Sequence, residues 1–175
     1  MRYLWLGSLA LLASMLLAQQ KASAPVQLIT SDDLNYWDNT EKKLHTRGET
    51  SPPPVPAPDA PLEVETIEAS GPEIKVLAPK TAAVDTPLEL EVRFVPHDAA
   101  VDPASIRVVA KKWILNDFRF GRDLTERVRP YISTAGIHVP QAEMPAGTFQ
   151  FVLRVSDTAQ KGSAVRLVLA VGSKR

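Results

Sequence analysis

The sequence contains no cysteine. Its absence excludes disulfide bonds, thiolate catalysis, cysteine-ligated zinc or iron–sulfur centres, and a lipid anchor on an N-terminal cysteine. An excess of one charge is also missing, because 20 Lys and Arg residues balance 20 Asp and Glu residues. A chain without net charge has no general attraction for polyanions, so we expect no nucleic-acid partner.

Catalytic motifs are absent as well. The chain has no glycine-rich phosphate loop, no dinucleotide fingerprint, no H-E-x-x-H pair and no G-x-S-x-G turn. We therefore predict no catalytic residue, no cofactor and no metal site, and a protein that is not an enzyme. A remote alternative is a small hydrolase that uses Ser133 and His138, although these two residues stand in one local turn.

Two pairs of aspartates leave calcium binding open as a further alternative. Asp98 with Asp102, or Asp117 with Asp123, could supply the several loop oxygens that a hard cation needs. Neither pair forms a D-x-D-x-[DN]-G loop. Because aspartate commonly caps turns, we favour a capping or turn-forming role for Asp98 and Asp102.

The longest hydrophobic run stands near the N-terminus. Leu4–Ala18 has no charged residue, and it is shorter than the roughly 20 residues that span a bilayer. We predict a signal peptide over residues 1–24, cleaved after Ala18 or after Ala24, where Pro25 would disfavour the second cut. The rest of the chain is then periplasmic or secreted, and it meets a membrane only if this segment stays uncleaved.

Residues 25–50 form a predicted polar tail. Val26–Thr30 favours a short strand, and Ser31 followed by two acids predicts the N-cap and the first turn of a short helix. Tyr36 and Trp37 come next. Two adjacent aromatics could dock a partner, but we favour the alternative that they fold back on the domain or stay in a mobile tail.

A proline-rich segment follows the tail. Residues 51–61 contain six prolines, a composition typical of extended polyproline II spacers. We predict a linker over residues 51–71, with few contacts across it and a domain boundary at its end.

From Pro72 onward the hydrophobic pattern has a period of two. Apolar residues alternate with mostly polar ones in several runs, and Gly, Pro and Asp turn signals separate these runs. The clearest runs are Ile74–Val76, Leu88–Phe94, Ile106–Ala110, Phe149–Val155 and Val165–Val171. The pattern predicts an all-β fold over residues 72–173, a single antiparallel β-sandwich, with an irregular stretch at Lys111–Ile114.

Several segments of this region resemble a known family. They are Pro72–Pro79, Asp102–Val108, Asp123–Ser133 and the closing pair of strands around Pro145–Asp157 and Gly162. They are similar to bacterial immunoglobulin-like modules, the broad group that includes fibronectin type III and polycystic-kidney-disease-type domains. The whole pattern resembles small secreted bacterial proteins with one such domain behind a signal peptide. The resemblance covers residues 72–171 and implies a sandwich fold without catalytic residues.

The most unusual stretch is Arg107–Arg129, where seven basic and three acidic residues surround Trp113, Phe118 and Phe120. Cations and aromatics together can bind an anionic glycan, a lipid headgroup or a protein partner. We favour the alternative that Trp113, Ile114 and Phe118 plug the sandwich while the cations stay in water, namely Lys111, Lys112, Arg119 and Arg122. The candidate partner-binding residues are Lys111, Lys112, Trp113, Arg119, Arg122, Tyr36 and Trp37.

We therefore expect a non-enzymatic exported immunoglobulin-like module that binds an unidentified protein or cell-envelope component. The alternative is a structural accessory subunit of an envelope complex, tethered to the membrane by the uncleaved N-terminal segment. Both expectations rest partly on fold, and one sandwich fold can host many functions.

Overall fold

A computed structural model describes residues 24–44, 55–114 and 116–172. Most of the predicted signal peptide and the first part of the predicted linker lie outside these residues. No helix in the described ranges is long and apolar enough to cross a bilayer.

The described residues form eleven strands and two α-helices. The strands are β1 (Val26–Gln27), β2 (Val64–Ala69), β3 (Glu73–Ala78), β4 (Ala83–Val84), β5 (Leu88–Val95), β6 (Val101–Ile114), β7 (Asp117–Asp123), β8 (Ile132–Ser133), β9 (Gly136–Glu143), β10 (Gly147–Asp157) and β11 (Gly162–Val171). The helices are α1 (Ser31–Leu44) and α2 (Thr125–Val128), and one 3₁₀ turn covers Arg129–Tyr131.

The strands build two sheets. One has the order β1-β9-β5-β3, with β8 also paired to β9, and the other has the order β2-β11-β10-β6-β7, with β4 also paired to β11. The prediction of an all-β, two-sheet architecture is confirmed. The prediction of purely antiparallel pairing is wrong in two places, since β1 runs parallel to β9 and β4 runs parallel to β11.

The core lies between the sheets and follows the predicted register of β10. Phe149, Phe151, Leu153 and Val155 are all buried, whereas Arg154 is exposed. Side chains two residues apart in a strand share one face, so these four residues point at the opposite sheet.

The predicted irregular stretch at Lys111–Ile114 is instead the end of β6. It pairs with β7, and Ile114 is fully buried. Interrupted alternation misled the prediction: Lys112 stands on the inward face between Ala110 and Ile114, where an apolar residue would be expected.

The domain begins well before Pro72, so the predicted boundary is wrong. β1 pairs with β9, and β2 pairs with β11, with Glu65 opposite Arg166. All six residues of β2 are exposed. An edge strand whose two faces are both exposed to solvent does not alternate between apolar and polar residues. The sequence therefore does not distinguish such a strand from a linker.

The described part of the proline-rich segment also contacts the domain. The Leu62 amide donates to the Lys80 carbonyl at 2.8 Å, and the Ala82 amide donates to the Ala60 carbonyl at 3.0 Å. Pro61 lies in an isolated bridge opposite Thr81. The expectation of few contacts is therefore wrong for residues 60–62. Pro61 has no backbone N–H to donate, but the residues on either side of it form hydrogen bonds through their own backbone groups.

Helix α1 is longer than the short helix predicted from its first residues, and its cap is Thr30 rather than Ser31. The Thr30 hydroxyl accepts from the Asp33 amide at 3.4 Å, and the Asp33 carboxylate accepts from the Thr30 amide at 2.9 Å. This reciprocal pair is a capping box with aspartate at its third position.

Candidate functional site

The two groups of candidate residues, separate in the sequence, meet in the structure. Helix α1 lies against the inward face of the six-stranded sheet at the end formed by β6 and β7. Trp37 is fully buried, its ring 5.8 Å from the ring of Phe149. Its indole nitrogen donates to the Phe120 carbonyl at 2.6 Å. Trp37 is therefore a core residue, so its assignment as a partner-binding residue is wrong and the fold-back alternative holds for it.

Asp33 organises the contact between α1 and the sandwich. Its side chain is fully buried, and its oxygens accept from Arg122 Nε at 2.8 Å and from Arg127 Nη1 at 2.5 Å. The same Arg127 nitrogen donates to the Leu28 carbonyl at 2.6 Å. One carboxylate thus joins the start of α1 to β7 and α2.

The surroundings of Asp33 keep it charged. Burial would raise the pKa of this carboxyl, but hydrogen bonds from Arg127, the Thr30 backbone and Arg122 outweigh it and hold the pKa far below its ordinary value. Two arginines and a capped backbone amide stabilise the ionised form. The cluster is therefore a structural ion-pair network at neutral pH.

Two of the candidate cations serve this contact. Arg122 pairs with Asp33, and its guanidinium lies 4.8 Å from the centre of the Tyr36 ring. Lys112 Nζ contacts Asp38 of α1 at 2.5 Å. The expectation that Lys112 and Arg122 stay in water is wrong, because the inward face that they share is covered by a helix with acids at matching positions.

Tyr36 and Arg119 remain at the surface on this side of the molecule. Tyr36 is 41% exposed. Arg119 pairs with Asp117, two residues away, and both side chains are about half exposed. Exposed pairs of this kind contribute little to stability, so the contact with Asp117 does not prevent Arg119 from binding a partner.

The other candidates, Lys111 and Trp113, lie on the outer face of the six-stranded sheet. Trp113 is half-buried and forms an edge-to-face pair with Phe118, its cross-strand neighbour, at 5.0 Å between ring centres. Lys111 lies opposite Gln150 in the next strand. The aromatic pair therefore lies on the sheet face that points away from the core, rather than plugging the sandwich.

Apolar residues continue from this pair across the outer face. Val109 lies opposite Val152, and Gln150 lies opposite Val168; these three valines are half-buried. These apolar residues extend from the pair of Trp113 and Phe118 at one end to Pro56 and Pro61 at the other. We call the surface formed by Val109, Lys111, Trp113, Phe118, Gln150, Val152, Arg154 and Val168 the outer patch.

The outer patch carries the cations Lys111 and Arg154, and acids stand at its border, with Asp123 directly opposite Val109. Arg154 lies directly opposite Arg107, and like charges facing each other across two strands are destabilising. Arg107 donates to the carbonyls of Ala104 and Ile106. Neither Arg154 nor Lys111 forms an ion pair with any residue in the described ranges.

The prolines bound a groove beside the outer patch. Its volume is about 630 Å³, and it lies between Val55 and Pro56 on one side and Gln150, Val168 and Arg166 on the other, with Glu63 and Glu65 also in its lining. Val55 is 71% exposed. The groove extends the accessible surface, with apolar and charged residues together, toward the edge of the sheet.

Sequence reasoning missed Val152 and Arg154 as members of this surface, and it named Phe118 only as one aromatic of the basic stretch. The alternation along β10 predicted that Arg154 points outward, but its outward residues were not combined with those of β6 into one surface. The signal that could have identified the patch was the complementary set of positions in β6 and β10, which carry valines and cations together.

The residues considered for catalysis have other contacts. The Ser133 hydroxyl donates to the Gly136 carbonyl at 3.3 Å, and His138 Nε2 lies 2.9 Å from the Glu89 carboxylate. Among the described residues, no hydrogen bond joins Ser133 to His138. The pairing that a hydrolase would need for nucleophile activation is not formed.

The four aspartates considered for calcium also have local contacts. Asp98 pairs with Lys161, while Asp102, Asp117 and Asp123 each accept from a backbone amide one or two residues later. Within the described ranges, no three His, Asp or Glu side chains cluster closely enough to hold a metal ion. The contacts of Asp102, Asp117 and Asp123 are those of turn-forming aspartates, whereas Asp98 forms an ion pair with a residue distant in the sequence.

Comparison with protein-family models, curated proteins and solved structures found no match to the chain.

Proposed function

We propose that this chain is a non-enzymatic binding module that holds an acidic segment of a protein partner on its outer patch. The observation that carries the proposal is that Lys111 and Arg154, which share a sheet face with half-buried valines and an aromatic pair, form no ion pair within the described ranges. Interfaces are enriched in Trp, Phe and Arg. An acidic partner would supply the missing charges.

The sheet order supports an immunoglobulin-like relationship. β3, β5 and β9 lie in one sheet, and β11, β10, β6 and β7 lie side by side in the other. Immunoglobulin-type sandwiches place their strands A, B and E in one sheet and G, F, C and C′ in the other. The two sets correspond strand by strand in chain order, which favours the module over an unrelated sandwich.

Export is part of the proposal. The charge-free run Leu4–Ala18 supports a secretory signal, and the module would then act in the periplasm or outside the cell. Mass spectrometry of the native protein should find a chain that begins at Gln19 or Pro25. An intact chain in the membrane fraction would favour the tethered accessory subunit, and an intact soluble cytoplasmic chain would contradict export.

Site-specific photo-crosslinking tests the binding face. A photoreactive amino acid replaces Gln150 on the outer patch or, as a matched control, Lys75, whose side chain is exposed on the five-stranded sheet. We expect an adduct from position 150 that is absent from position 75. The adduct should decrease as salt rises, because exposed charges are screened.

Charge variants decide whether the adduct depends on the cations. Lys111→Gln with Arg154→Gln should abolish the adduct from position 150, while Lys75→Gln should leave it unchanged. Equal adducts from both faces, or an adduct that survives the double substitution, would eliminate the outer patch as the binding surface.

A further inference from the structure

An apolar cavity of about 70 Å³ lies between the two sheets. The five-stranded sheet contributes Val76, Leu90 and Val92 to its lining, and the six-stranded sheet contributes Val108, Phe151 and Leu167. Every residue around it has an apolar side chain. The cavity is therefore a gap in the core rather than a polar cleft.

The packing around this cavity is unusually loose. Val76, Leu90, Val92, Val108 and Leu167 point between the sheets, yet each is only half-buried. Protein interiors are normally close-packed, with few voids larger than a water molecule. A water molecule needs two to four polar partners, and this lining offers none. The space accordingly favours an apolar occupant.

The cavity reaches the surface at one side of the sandwich. Val76 and Ala78 line it from β3, at the edge of the five-stranded sheet, and Pro79 lines it directly after this strand. Leu167 lies opposite Val64 of the edge strand β2, and Val64 is 38% exposed. Apolar surface thus continues from the cavity to solvent between these two edges.

We propose that this cavity binds one alkyl chain, such as that of a free fatty acid or of a lipid. An engineered apolar cavity of roughly 150 Å³ holds benzene, so a space about half that size fits a narrower group. The end of an alkyl chain enters between the sheets, and its remaining methylenes lie along the apolar opening beside Val64. The site uses none of the residues of the outer patch.

Methyl-resolved NMR during titration with octanol tests the proposal on the full chain. We expect saturable shifts of the methyl groups of Val76, Leu90 and Leu167. Octanoate should produce the same shifts, because the alkyl chain rather than a charged head is recognised. Absence of saturable shifts with both probes would overturn the proposal.

Neighbouring positions in β6 provide a matched pair of variants. Val108→Phe places a larger side chain in the cavity and should abolish the octanol shifts, whereas Val109→Phe changes the outer face and should leave them intact. Equal binding by the two variants would contradict the assignment. If Val108→Phe does not fold, Leu167→Ala enlarges the cavity and should strengthen octanol binding; an unchanged affinity would contradict it equally.

Phospholipid vesicles distinguish the source of the chain. Co-sedimentation with vesicles that Val108→Phe prevents and Val109→Phe permits would identify a membrane lipid as the source. Octanol binding without co-sedimentation would identify a free amphiphile. Because partner adducts at position 150 depend on Lys111 and Arg154, failure of the outer patch would leave the octanol result unaffected.

Discussion

Asp33 combines complete burial with a charge that two arginines neutralise. Removing one partner of a buried ion pair leaves the other charges without compensation in a medium of low polarity. Asp32, the preceding residue, is exposed and has the same side chain. Comparing substitutions at Asp32 and Asp33 therefore separates the effect of the buried network from the effect of charge near the start of the helix.

We expect Asp33→Asn to lower the free energy of unfolding by about 3 to 5 kcal/mol. Asp32→Asn should change it by less than about 0.5 kcal/mol, as for most surface substitutions. Urea denaturation followed by circular dichroism measures both values. Equal effects of the two substitutions would show that the Asp33 network does not stabilise the fold.

The same residue predicts how stability depends on pH. The pKa of Asp33 is lowered in the folded state, so its contribution to stability is complete above its unfolded pKa of about 3.9. That contribution is lost as the pH falls from there toward the folded pKa. Urea midpoints below about pH 4 should therefore decrease more steeply in the native chain than in Asp33→Asn. Parallel pH profiles would contradict this.

Trp37 and Trp113 differ in burial, so replacing them with alanine should lower the free energy of unfolding by different amounts. Trp37→Ala should destabilise the fold by about 3 to 5 kcal/mol, as expected for a fully buried aromatic residue. Trp113 is half-buried on the outer face, so Trp113→Ala should cost clearly less while it weakens the adduct at position 150. Urea denaturation of both variants checks the order, and a reversed order would place Trp113 in the core.

The β10 strand offers a test of register. Phe151 faces the core and Arg154 faces solvent. Phe151→Ala should cost about 3 to 5 kcal/mol, and Arg154→Ala should change stability by less than about 0.5 kcal/mol. Similar urea midpoints for the two variants would mean that the register is shifted by one residue.

At the scale of elements, β1 and α1 complete the sandwich, although both precede the segment in which apolar and polar residues alternate regularly. β1 extends the five-stranded sheet, and α1 covers Phe149 and supplies acids to Lys112 and Arg122. Without them, an aromatic side chain and two inward-facing cations would meet water or one another. The two elements are integral parts of the fold.

Truncation tests this role directly. A chain that begins at Leu62 lacks β1 and α1 and should unfold at a much lower urea concentration than a chain that begins at Ala24. The reason is the loss of the Trp37 packing and of the Asp33 contacts. Coincident unfolding curves for the two chains would show that the tail adds nothing to the domain.

At the scale of the whole molecule, two pairs of basic residues have different roles. Lys112 and Arg122 hold α1, whereas Lys111 and Arg154 lie on the outer patch. Lys112→Gln with Arg122→Gln should lower the melting temperature, because the double substitution removes two contacts to α1. Lys111→Gln with Arg154→Gln should leave melting unchanged. Differential scanning calorimetry compares the two, and an inverted result would reverse the assignment of the two faces.

Much of the sandwich was predictable because alternation records burial on one face. The strands around Leu88–Phe94 and Phe149–Val155 bury apolar side chains at every second position, and a period of two appears in any such strand. The start of a helix near Ser31 was predictable for a similar reason, since capping uses residues adjacent in the chain.

The rest depended on contacts between residues far apart in sequence. The pairing of β2 with β11, the burial of Trp37 and the meeting of Asp33 with Arg122 and Arg127 all join distant segments. A local pattern cannot show that a polar residue has a buried partner of opposite charge, because the desolvation cost and its compensation arise only when the chain is folded. For the same reason the sequence indicated a cluster of cations, while the packing of α1 determined which of them remain free for a partner.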